Sequence, residues 1–90
     1  MKSSELKAII ESQRYMIASL YTSLSLVETT DTNLLCMKLA LEKMWETTEI
    51  IDASFKLGAM NLEQIFQHGK EIVALQKLYK LSEYDKSEIN

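Results

Sequence analysis

The chain reads as an all-α domain, either a three-helix antiparallel bundle or a long helical hairpin plus a third helix, expected to self-associate. Three observations carry that expectation. The 90 residues include no proline and only two glycines, Gly58 and Gly69; multi-turn β architectures need those residues at their turns, whereas long helices exclude them. The hydrophobic share is 47%, too high for a disordered chain. Apolar residues recur every three or four positions along much of the length, which is the period of one helix face.

Residues 1–90 form one helical domain on this reading, with helices at about 4–29, 33–57 and 61–81 and a polar tail at 82–90 expected to fray. Ser3 or Ser4 is the expected cap of the first helix, with Glu5 at its positive end. Its seam runs Leu6, Ile10, Gln13, Ile17, Leu20, Leu24 and Val27, a heptad pattern with one polar interruption at Gln13. Thr29, Thr30, Asp31, Thr32 and Asn33 supply turn and capping chemistry. The second helix has the cleanest spacing: Leu34, Met37, Leu41, Met44, Thr48, Ile51 and Phe55. Gly58 is placed to close it in the left-handed conformation. Asn61 then caps the third helix, with Gln64 three residues on, as in a capping box. That helix carries Leu62, Ile65, Phe66, Ile72, Val73, Leu75, Leu78 and Tyr79. Gly69 inside it should cost about 1 kcal/mol relative to alanine and marks either a close approach or a break.

The formal net charge is −3 and no segment is strongly basic, so nucleic acid is an unlikely partner. Cys36 is the sole cysteine; it is expected to be buried filler, and a reducing compartment fits best. The longest uncharged run, Tyr15 to Val27, is too short to cross a bilayer. The N-terminus lacks the pattern of a signal peptide. The expected location is cytoplasmic.

Chemistry-bearing residues are sparse. His68 is the only histidine and has Glu71 one turn on, but a metal site would need further carboxylates facing inward from other helices. Helix-one serines and threonines sit on no glycine elbow, and no phosphate-binding glycine loop exists. The expectation is therefore no enzyme, no catalytic residues, no cofactor and no metal. Glu42, Glu46 and Glu49 share one face of helix two. They read chiefly as a solvated ridge, with an acidic docking face for a basic partner as the sharper alternative.

The most informative feature is an apolar excess. Leu34 to Leu41 is hydrophobic almost all round, and a helix apolar on every side is normally buried on every side. Leu34, Leu35, Met37, Leu39, Leu41, Met44 and Trp45 are thus the candidate interface residues, reaching a protein partner or a second copy of the chain. The competing possibility is that helix three covers Leu35 and Leu39 in a monomeric core. The expected function is a non-enzymatic protein–protein interaction module, a class that spans small regulators, co-chaperones and inhibitory or immunity-type proteins. The alternative is a small DNA-associated regulator. Its turn around Gly58 resembles a helix-turn-helix connection, and Gln64, Gln67, His68 and Lys70 would face the groove.

Overall fold

The computed structural model describes residues 2–26 and 30–89, with side-chain surroundings through Leu81. It contains α1 (Ser3–Ser25), α2 (Thr32–Lys56) and α3 (Leu62–Ile89), and every pair of helices is in contact. Among the described residues there is no strand, and no helix is long and apolar enough to cross a membrane. The body is a rod of 50 × 19 × 18 Å. Cross-helix pairs fix the directions. Tyr21 meets Glu42 while Arg14 meets Glu49, so α1 and α2 are antiparallel. Thr48 meets His68, and Ile51 shares a cluster with Ile65, so α3 turns back along α2. The architecture is an up-down-up three-helix bundle.

The helix ends follow local hydrogen-bond chemistry, with some shifts from expectation. Lys2, rather than Ser3 or Ser4, caps α1. The Glu5 carboxylate reaches back to accept from the Lys2 backbone N–H at 3.3 Å, while the Lys2 carbonyl accepts from the Glu5 and Leu6 N–H groups. Helix α1 ends at Ser25, short of residue 29; Val27 and Thr29 lie outside the described residues. Asp31 caps α2, its Oδ1 accepting from the Asn33 N–H at 2.9 Å.

At the other end Gly58 takes φ +77°. Its N–H donates to Phe55 O and the Ala59 N–H donates to Ser54 O, the paired bonds of a Schellman closure. Asn61 Oδ1 accepts from the Gln64 N–H at 3.1 Å and opens α3. Helix α3 does not stop at Leu81: its backbone stays helical to Ile89. The polar tail contains no glycine or proline, and its Glu and Lys residues have good helix propensity.

The core consists of two apolar clusters. One gathers Ile17, Leu20, Leu24, Leu34, Leu41 and Ile72; the other gathers Leu6, Ile10, Ile51 and Ile65. The α1 and α2 seams read from the sequence are the buried faces. On α3 the inward positions are Ile65, His68, Ile72, Leu75 and Tyr79, while Leu62, Phe66, Val73 and Leu78 are exposed. Truncating one of the buried leucines to alanine would cost about 2–5 kcal/mol.

Between the two clusters lies a polar layer, with Gln13 from α1, Thr48 from α2 and His68 from α3, all buried. Gln13 Nε2 donates to the Ile65 carbonyl at 3.1 Å. Gly69 is what admits it, because a Cβ there would stand 2.9 Å from Nε2. The glycine marks a close approach, and the helix passes through it unbroken.

Two substitutions test these backbone readings. Gly58 has open space around it, so Gly58→Val meets only backbone strain and should lower unfolding free energy by about 1–2 kcal/mol in urea titration. A neutral result would remove the left-handed closure. Gly69→Ala should give less than the roughly 1 kcal/mol that helix propensity offers. In a Gln13→Ala background it should recover that gain. Additivity of the two changes would show that Gly69 does not make room for the Gln13 amide.

Candidate functional site

The buried Thr48–His68 pair is the arrangement most like catalytic chemistry. Thr48 Oγ1 lies 2.7 Å from His68 Nε2 and 3.0 Å from the Met44 carbonyl. When the single hydroxyl proton is directed to the Met44 carbonyl, Nε2 carries the imidazole hydrogen and donates to Oγ1, so the direction of the Thr48–His68 bond follows the imidazole tautomer. A hydroxyl whose oxygen accepts from the histidine is not being activated by it as a base. Thr48 is 0% exposed and His68 only 3%, so no substrate reaches either. Burial lowers the His68 pKa, partly offset by the Glu71 charge and the Met44 carbonyl. The pair is a structural contact. It also takes His68 out of the set of residues that could face a nucleic-acid groove. Among the described residues no three His, Cys, Asp or Glu side chains gather in a metal-binding group.

The surface is more informative. Of the candidate interface residues, Leu34 and Leu41 are buried in this chain's own core, and Met37 and Met44 pack against it. All four contribute to folding, with Met37 and Met44 only partly buried and Leu41 also forming the floor of a surface groove. Leu35 (46% exposed), Leu39 (62%) and Trp45 (38%) remain open to solvent, and α3 does not cover them. The all-round apolar start of α2 is thus buried on one side only. Cys36, expected inside, is exposed; its register follows Leu35 outward, while Leu34, Met37 and Leu41 take the inner positions.

Trp45 borders a groove of about 540 Å³ between α1 and α2, lined by Ile17, Ala18, Tyr21, Leu41, Glu42 and Glu46 among others. Leu35 and Leu39 precede Glu42 and Glu46 on the same side of α2, at helical spacings that stack them along one edge. The groove therefore has an aromatic and aliphatic floor and an acidic rim.

The three glutamates are more than a solvated ridge. Glu42 accepts a hydrogen bond from the Tyr21 hydroxyl at 3.0 Å, which raises the Tyr21 pKa. Glu49 pairs with Arg14 at 3.0 Å. Glu46 lies on the rim itself.

Sequence reasoning did not single out Arg14, yet it organises this seam. Its guanidinium reaches Glu11, Glu49 and Asp52, and it lies 5.7 Å from the centre of the Trp45 ring. Lys56 and Arg14 together hold the Asp52 carboxyl below its usual range, with the Lys56 hydrogen bond the largest cause. The readable signal was a lone arginine in a stretch otherwise free of charge from Ser12 to Val27. Its partners were hidden because they lie on another helix. Lys38, likewise, lies 5.5 Å from the centre of the Tyr21 ring.

Compared with protein-family models, with curated proteins and with solved structures, the chain matches none.

The buried imidazole gives the fold a pH dependence. Folding lowers the proton affinity of His68, so the unfolded chain takes up the proton more readily below about pH 6.5. The stabilisation that comes with a neutral imidazole is complete above that pH. It is lost as pH falls toward the folded-state value. Tm should therefore drop between about pH 7.5 and about pH 5, and less steeply in His68→Gln. The Asp52 contribution is lost only at lower pH, because its folded pKa lies below 3.8. An unchanged slope in His68→Gln would assign the transition to another group.

Proposed function

We propose that this chain is a non-enzymatic protein–protein interaction module that works through the open side of the α1–α2 pair, as small helical regulators, co-chaperones and inhibitory proteins do. The observation that carries the reading is that Leu35, Leu39 and Trp45 of α2 are left uncovered, with Trp45 lining an acid-rimmed groove. Exposed large hydrophobics near a concave, partly aromatic floor are characteristic of helix-in-groove recognition. Trp45 is the natural anchor, since tryptophans dominate the binding energy of protein interfaces. The sealed Thr48–His68 pair supports a non-enzymatic role.

The double substitution Leu35→Glu and Leu39→Glu tests this. Both side chains already touch water, so the helical circular dichroism signal should persist. The assemblies that the wild-type chain forms, with itself or with a purified partner, should be lost in light scattering and pull-down. Unfolding of the double variant would place these leucines in a monomeric core and overturn the proposal. Assembly unchanged by the substitutions would do the same.

A further inference from the structure

The bundle carries a second groove, of the same volume, about 540 Å³, between α1 and α3. Its floor includes Met16, Ile72 and Val73, but its rim is basic, with Lys70 and Lys77. On α3, Lys70, Val73, Ala74 and Lys77 are spaced i, i+3, i+4 and i+7, which sets them on one face. Val73 (40%) and Phe66 (43%) leave that side of the helix apolar and unburied. Among the described residues, neither Lys70 nor Lys77 nor Glu46 makes an ion pair. One molecule thus presents an acidic groove, its Glu42 held by the Tyr21 hydroxyl and its Glu46 outside any ion pair, and a basic amphipathic helix face.

We infer that the occupant of the α1–α2 groove is α3 of a second copy of this chain, with Lys70 and Lys77 meeting the Glu42 and Glu46 rim and Val73 lying toward Trp45. This rests on the interaction reading above and names the partner. The α1–α2 pair has α3 on one side and an open groove on the other, so a docked helix would complete a four-helix arrangement. Ala18 on the groove floor and Ala74 on α3 are small enough to let the two backbones approach.

Lys70 and Lys77 are separated by about 10 Å along the helix and Glu42 and Glu46 by about 6 Å, a difference that flexible lysine side chains can span. Trp45, Val73 and Phe66 supply the apolar contact, while the ion pairs set register and partner choice. Because the groove and the α3 face occupy different sides of the bundle, each copy donates one surface and accepts on the other. The association is head-to-tail, closing into a ring or extending as a chain, unlike a two-fold dimer that joins one patch to itself.

A charge exchange tests the inference on the full chain. Variant one carries Glu42→Lys and Glu46→Lys; variant two carries Lys70→Glu and Lys77→Glu. All four positions are exposed, so circular dichroism should show both variants folded. The wild-type chain should associate with rising concentration in sedimentation velocity, and less so at high ionic strength. Each variant alone should associate at least about tenfold more weakly, because like charges then face each other. Mixed, the two variants should reassociate, since the lysine groove of one accepts the glutamate helix of the other. A mixture that stays monomeric would overturn the inference, as would variants that associate like the wild type. A wild-type chain that is monomeric at every concentration would overturn it too. If a purified partner then still bound and was lost with Leu35→Glu and Leu39→Glu, the interaction module would stand with a different occupant.

Discussion

Gln13, Thr48 and His68 stand at one level of the bundle, one from each helix, with aliphatic residues above and below. Burying such groups costs free energy unless they find partners, so their alignment constrains the whole assembly. A slip of one turn in any helix would set the Gln13 amide or the His68 ring against isoleucine and leucine, with its hydrogen bonds gone. The apolar clusters alone would accept many neighbouring registers, because leucine and isoleucine pack with little directional preference. The layer selects among them, as a polar residue in a coiled-coil seam does. The selection has a cost inside the layer itself: Gln13 Oε1 is buried and has no hydrogen-bond partner among the described residues. Gly69 belongs to the same device, since a Cβ there would crowd Gln13 Nε2 at 2.9 Å and displace the amide from Ile65 O.

Much of this was legible in the sequence, for reasons that differ by helix. The seams of α1 and α2 are regular enough that the polar members Gln13 and Thr48 could be assigned inward by spacing alone. The α3 seam was obscured because its central member is His68, a residue usually associated with surfaces or sites. Four of its apolar residues, Leu62, Phe66, Val73 and Leu78, point outward and blur the period. The Ile65, His68, Ile72, Leu75, Tyr79 spacing was present in the sequence, but choosing it required knowing that Thr48 waited opposite. Gly58 and Asn61 were readable because turn chemistry is local. The α1 start was missed because the Glu5 carboxylate reaches back to a backbone N–H, which does not depend on the identity of the capping side chain.

The candidate site was legible to a lesser degree. The excess of apolar residues at the start of α2 was plain, but a one-dimensional string does not say which half folds inward. Leu34, Met37, Leu41 and Met44 went to the core, leaving Leu35, Leu39 and Trp45 outside. The groove arises from two helices and has no signature in either alone. The same holds for Arg14, which joins carboxylates on both helices and flanks the indole. Individually such surface pairs contribute little, about 0.2–1 kcal/mol. Clustered along the α1–α2 contact, they fix how the groove's walls are set.

The position of the indole has an optical consequence. Trp45 is the only tryptophan, and it stands at the α1–α2 seam with a guanidinium beside its ring. The intrinsic emission of this protein therefore reports on the α1–α2 boundary and on what docks against it. Separating α1 from α2 removes the cation and floods the ring with water, changing both intensity and colour. Detaching α3 leaves the indole's immediate surroundings as they were. The molecule thus carries a native reporter that distinguishes opening of one helix pair from loss of the third helix, without any label.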